Sequence, residues 1–164
     1  MMTPIVKKAL GWFHKKNNFV RLYNIDVKTD PVRPELSLRW RTSFDRQIYG
    51  LKQGDEVQAV VCLAFTNEIP HTIRELDLMS KVSKHEKNAD IAIAYTVWSN
   101  KKRVGAGREI MKEVVEYAKK QHLQRVVTLS PLTPLATHFH IKCGAKLISL
   151  NSQTQNFEYI IRKN

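Results

Sequence analysis

The sequence predicts an α/β domain with helices packed on a mixed sheet, and three observations predict it. Apolar runs of strand length alternate with amphipathic helical patterns along the 164 residues. Residues 91–98 (IAIAYTVW) are apolar almost without a break, as a strand covered on both faces must be. Pro31 and Pro34, Gly54 and Gly144 mark breaks and turns between such segments. A chain of this length suits one domain, residues 1–164, burying about two-thirds of its unfolded surface.

The elements follow in order. Ile5, Val6, Ala9, Leu10 and Phe13 recur at helical spacing between Lys7, Lys8, Lys15 and Lys16, which predicts a basic amphipathic helix within residues 1–18. Such a helix can lie on a membrane surface, but covering the sheet of its own domain is the ordinary role. Residues 19–27 (FVRLYNIDV) read as a first strand, ended by the prolines of residues 30–34. Residues 35–45 are ambiguous between a short helix and a loop. Residues 47–51 and 56–65 flank Gln53-Gly54-Asp55, a hairpin whose turn needs a positive φ at Gly54. A helix over 72–83 precedes the apolar strand 91–98. From Gly105 a second helix begins, with Gly107, Ile110, Met111, Val114 and Ala118 on one face. A strand at 126–129, a helix at 134–142 stopped by Gly144, and a hairpin of 145–150 with 157–162 complete the pattern.

Charge and composition narrow the function without choosing it. The 27 Lys and Arg against 15 Asp and Glu give a formal charge of +12, a field that attracts nucleic acid, anionic membranes or a phosphate-bearing cofactor alike. The excess is spread, with no block of five like charges. Cys62 and Cys143 lie in apolar stretches and read as buried free thiols of a reducing compartment. No run is long enough for a signal peptide or a membrane span, so a cytoplasmic location is expected, with no membrane partner. His138 and His140 are two apart on a helix and point to different faces, a poor metal pair, so no metal is expected.

The informative stretch is Val97-Trp98-Ser99-Asn100-Lys101-Lys102-Arg103-Val104-Gly105-Ala106-Gly107-Arg108, between the buried strand and the second helix. The first turn of a helix offers unpartnered N–H groups and the positive end of its dipole, which together receive a phosphate. A P-loop would need Gly-Lys-Ser/Thr, but Arg108 and Glu109 follow Gly107. A dinucleotide fingerprint would need a third glycine where Ile110 stands.

What remains resembles the pyrophosphate loop of the GNAT superfamily of N-acyltransferases, Gln/Arg-x-x-Gly-x-Gly/Ala after a central strand. Lys102-Arg103-Val104-Gly105-Ala106-Gly107 matches with Lys at the first position, and Val97 keeps register with the family's Val-x-Pro while the proline is replaced by Ser99. The later block, residues 133–145 (TPLATHFHIKCGA), is similar to the family's Asn-x-x-Ala-x-x-Leu-Tyr-x-Lys-x-Gly-Phe, with Ala136, Lys142 and Gly144 identical. The first half of the chain is less similar. Residues 68–78 and 95–100 are similar to phage-encoded acetyltransferases.

The resemblance implies a sheet of about six to seven strands whose two central parallel strands splay apart to admit pantetheine. Acetyl-CoA is the implied co-substrate, contacted by Val97, Trp98, Lys102, Arg103, Val104, Gly105, Ala106, Gly107, Arg108 and Thr133. It implies transfer of an acetyl group to an amine by direct attack; transfer of another acyl group keeps the same fold. His140 stands where the family has its proton-donating tyrosine, and is either that donor or a space filler. For the general base, Glu75 is the choice, among Asp77, Asp90 and His71, because it precedes the central strand beside the acceptor side. The acceptor is open: an acidic protein, a small amine or an RNA-linked amine. So is the oligomeric state, a homodimer included. The alternative is a catalytically inactive module of the same fold that binds nucleic acid or a protein through its basic surface.

Overall fold

The computed structural model describes residues 17–100 and 103–162. The helix expected within residues 1–18 lies outside them, except that Asn17 and Asn18 begin the first strand. In chain order the elements are β1 (Asn17–Leu22), a 3-10 turn (Val27–Thr29), the single turn α1 (Leu38–Arg41), β2 (Gln47–Gln53), β3 (Glu56–Thr66), α2 (Ile73–Glu86), β4 (Ile91–Ser99), α3 (Ala106–Lys120), β5 (Arg125–Thr128), β6 (Ser130–Pro131), α4 (Pro134–Lys142), β7 (Lys146–Leu150) and β8 (Thr154–Tyr159). The first strand ends earlier than its β-branched composition suggests. Asp26 caps the 3-10 turn through the Lys28 amide and draws the chain off the sheet.

The eight described strands run β1-β2-β3-β4-β5-β8-β6, with β7 paired to β8 off this path. Among the described strands β4 and β5 pair in parallel, joined by the crossover through α3; every other pair is antiparallel, including β3 and β4, which α2 connects. Gly54 takes the positive φ that the β2–β3 turn requires, +62°. One face of the sheet packs Leu51, Val61, Leu63, Ala92 and Ala94 against Ile110, Met111 and Val114 of α3. The other packs Ile48, Val60, Cys62, Ile93, Tyr95 and Leu129 against Leu76 of α2 and the segment around Leu36. Among the described residues, no helix is long and apolar enough to cross a membrane.

The strand β4 carries the feature that positions the site. Cys62 pairs with Thr96 and Leu63 with Ala94, so Tyr95 is the extra residue of a β-bulge. Side-chain alternation therefore slips by one. Ile91, Ile93 and Tyr95 face the α2 layer, and Thr96 faces it too, through its hydroxyl on Asp30; after the slip Val97 faces α3 and Trp98 the α2 layer.

Candidate functional site

The bulge coincides with the parting of the parallel strands. β4 and β5 pair from Ile91↔Arg125 to Ala94↔Thr128, and the last rung runs from the Leu129 amide to the Ala94 carbonyl, 3.0 Å. Beyond it the chain after β5 turns away to pair with β8, Ser130 opposite Gln155 and Pro131 opposite Thr154. β4 continues to Ser99 with β3 as its strand neighbour on the other edge. The result is a fork, with Val97 and Trp98 half-buried along its β4 side.

At the mouth of the fork stands the N-terminus of α3. Gly105 is its N-cap, in the left-handed region at φ +88°, and no side chain caps the helix. The first helical rung runs from the Glu109 amide to the Gly105 carbonyl, 3.0 Å, so the amides of Ala106, Gly107 and Arg108 precede the helical ladder. Val104 is almost fully exposed and Arg108 exposed, while Ala106 is buried. Arg103 reaches across to Glu109, 2.7 Å, and to the Gln58 amide oxygen, 2.8 Å; Asn17 donates to both Glu109 oxygens. The acidic residue of the first turn is thus neutralised, which leaves the helix dipole and free amides to act on an anion. Lys102 lies outside the described residues.

A Cβ at Gly107 would meet the Phe139 ring of α4 at 2.9 Å, so a small residue there lets α3 and α4 approach. Thr133 is the N-cap of α4, its hydroxyl accepting from the Ala136 amide at 3.2 Å.

His140 is built into the core. It is 4% exposed, its Nδ1 lies 2.7 Å from the Tyr159 hydroxyl, and its ring stacks on Phe157. Burial pulls its pKa from 6.5 down to about 4, so at neutral pH it holds no spare proton for a thiolate. The geometry thus favours the filler over the donor. Its folded pKa lies below the unfolded one, so protonation favours unfolding: the stability present above pH 6.5 is lost as pH falls toward 4. We expect the urea midpoint to drop between pH 7 and pH 5, and His140→Gln to shrink that drop. The shift corresponds to about 3 kcal/mol at its fullest. An unchanged pH dependence in the variant would place the acid sensitivity elsewhere. Cys143 likewise packs, with burial as the chief influence raising its thiol pKa.

The candidate bases separate by position. Asp90 precedes β4, roughly 16 Å of strand from the bulge, and its carbonyl holds the Gln124 amide. Asp77 is engaged by Arg46 at 3.1 Å and Lys81 at 2.8 Å. Glu75 accepts from the His71 amide at 3.1 Å while its own amide is held by Thr72, a capping arrangement at the start of α2. That start is brought beside the fork: Asn156 donates to both the Pro70 and Thr128 carbonyls, and Thr154 to the His71 carbonyl. His71 is thereby tied to β8 through its own carbonyl, and Glu75 is attached to it through the His71 amide.

Sequence reasoning missed a buried polar cluster under the fork. Arg41 pairs with Asp30 at 2.7 Å with both side chains fully buried, and Thr96 donates to Asp30. Arg41 also holds the Leu36 and Arg33 carbonyls, and Arg33 reaches the fork itself. The only local signal was Asp30 among prolines, whose carboxylate accepts from the Val32 and Arg33 amides.

No protein-family model matches the sequence, and no curated protein is similar to it. Solved structures do match. A Bacillus subtilis acetyltransferase in complex with CoA superposes with a TM-score of 0.58 at 12% identity, over 88% of this chain and 95% of that one. A probable acetyltransferase from Staphylococcus epidermidis gives 0.61 at 15% identity, over 88% and 98%. Malonyl-CoA decarboxylase from Rhodopseudomonas palustris gives 0.64 at 18% identity, over 96% of this chain but 59% of that one, so the chain matches one part of that enzyme. The architecture is that of the GNAT acyltransferase fold.

Proposed function

We propose that the protein is an acyl-CoA-dependent N-acyltransferase that moves an acetyl group from acetyl-CoA to an amine. The observation that carries this reading is the uncapped start of α3, set by Gly105 at the mouth of a fork between parallel strands. The diphosphate rests on the amides of Ala106 to Arg108, and pantetheine runs along the open edge of β4 beside Val97 and Trp98. The thioester then lies near the bulge, within reach of an amine entering past the start of α2. Catalysis is chiefly alignment, with Glu75 or His71 taking the amine's proton through water as the carbon–nitrogen bond forms and the thiolate leaves. The neighbour crystallised with CoA supports the cofactor class.

Because His140 is neutral and enclosed, a module that binds CoA or a partner without turnover is the second reading. Thermal unfolding with acetyl-CoA tests the first step: at a hundred times its dissociation constant the ligand adds about 2.7 kcal/mol, a shift of roughly 5–11 °C for a chain of this size. No shift with any acyl-CoA would reject the transferase. Mass spectrometry of acetylated products in a cell extract then separates turnover from binding and identifies the acceptor, whether acidic protein, small amine or RNA-linked amine.

A further inference from the structure

Where the β4–β5 ladder stops, the next two carbonyls are not left to water. The carbonyl of the bulged Tyr95 accepts from Arg33 Nε at 2.8 Å, and the carbonyl of Leu129, on the diverging strand, accepts from Nη2 of the same guanidinium at 3.0 Å. One planar, rigid group therefore spans the base of the fork. Its aim is fixed from behind. The Arg33 amide donates to Asp30, and the Arg33 carbonyl accepts from Arg41 at 2.6 Å, while Arg41 and Thr96 both bond Asp30.

Arg33 is 8% exposed, yet among the described residues no carboxylate forms an ion pair with it: the oxygens of Asp30 go to Arg41, Thr96 and two amides. Desolvation accordingly lowers its pKa, with Glu35 and Asp30 opposing that at longer range. A buried cation with no carboxylate in direct contact is a costly way to fill space. What it supplies that an apolar side chain would not is a fixed span between two backbone carbonyls.

We propose that Arg33 is a positioning residue for acyl transfer, a wedge that sets the separation of β4 and the β5–β6 chain where the thioester of a bound acyl-CoA lies. The inference rests on the function proposed above. It divides the site into two ends: the start of α3 determines whether CoA binds, and Arg33 determines where its acyl end sits.

The test uses acetyl-CoA labelled with 13C at the carbonyl, observed by 13C and 31P NMR on the full chain. In the wild type both nuclei are expected to show bound-state shifts. In Arg33→Met, which keeps the length and loses the donors, the 31P shift is expected to persist with CoA affinity within about threefold, while the bound carbonyl shift is lost. Arg33→Lys, with one cationic point in place of a fork, should restore part of it. A carbonyl resonance unchanged in Arg33→Met overturns the proposal, and so does a loss of both signals in a variant whose amide spectrum is still folded. Amide hydrogen exchange of the apo protein is the independent arm: residues 95–99 and 129–130 should exchange at least tenfold faster in Arg33→Met, and unchanged exchange also overturns the wedge. Should the wild type bind acetyl-CoA at neither nucleus, the transferase reading fails, and exchange alone decides whether Arg33 holds the fork.

Discussion

Gly105→Val is expected to remove CoA binding while leaving a folded protein. The residue sits at φ +88°, where an L side chain, and a β-branched one most of all, is strained, yet a Cβ would meet nothing within 4 Å. The harm is thus conformational rather than steric. Relief of the strain rotates the Gly105 peptide and turns the following amides away from a shared focus. The fold should lose about 1–2 kcal/mol, a fall of roughly 2–8 °C in unfolding temperature. CoA affinity measured by calorimetry should fall more than tenfold, about 1.4 kcal/mol or more. Gly105→Asn, whose side chain tolerates the left-handed region, should keep most of the affinity. Full affinity in the valine variant would move the diphosphate site away from α3.

Asp30→Asn should be the most destabilising of the conservative changes. The carboxylate accepts from Arg41, Thr96 and the amides of Val32 and Arg33, and neither it nor Arg41 is exposed. Removing its charge leaves the buried Arg41 guanidinium without its anion, a loss of about 3–5 kcal/mol from a total of about 5–15. Urea unfolding should show it directly. Adding Arg41→Met should recover part of the loss, because the uncompensated charge goes with it. A cost near zero for the single change would mean that solvent reaches the cluster.

These two positions differ in how readily a sequence discloses them. Gly105 announces itself because a helix entered through the left-handed region favours glycine at one particular place, directly between an apolar strand and an amphipathic helix. The block around Ala136 and Gly144 was legible for the same local reason, and α4 spans the expected residues 134–142. Asp30, Arg33 and Arg41 lie in a stretch whose prolines read simply as a break. Their partners are remote: Arg33 bonds carbonyls 62 and 96 residues away, and main-chain carbonyls leave no trace in residue identity. The surroundings of His140 were hidden for a related reason: its register left donor and filler both open, and the burial that lowers its pKa comes with Tyr159 and Phe157, which reach it only when β8 enters the sheet beside β5. The close approach of Phe139 to Gly107 was likewise hidden, since Phe139 comes from another helix.

The surplus residue in β4 has a consequence for chain length. Deleting Tyr95 would bring Thr96 into its place and restore an unbroken odd–even rhythm, so that the shortened strand pairs with β3 without a register shift. A one-residue deletion thus separates the contribution of chain length from those of Arg33 and Gly105 to the opening proposed for acyl-CoA.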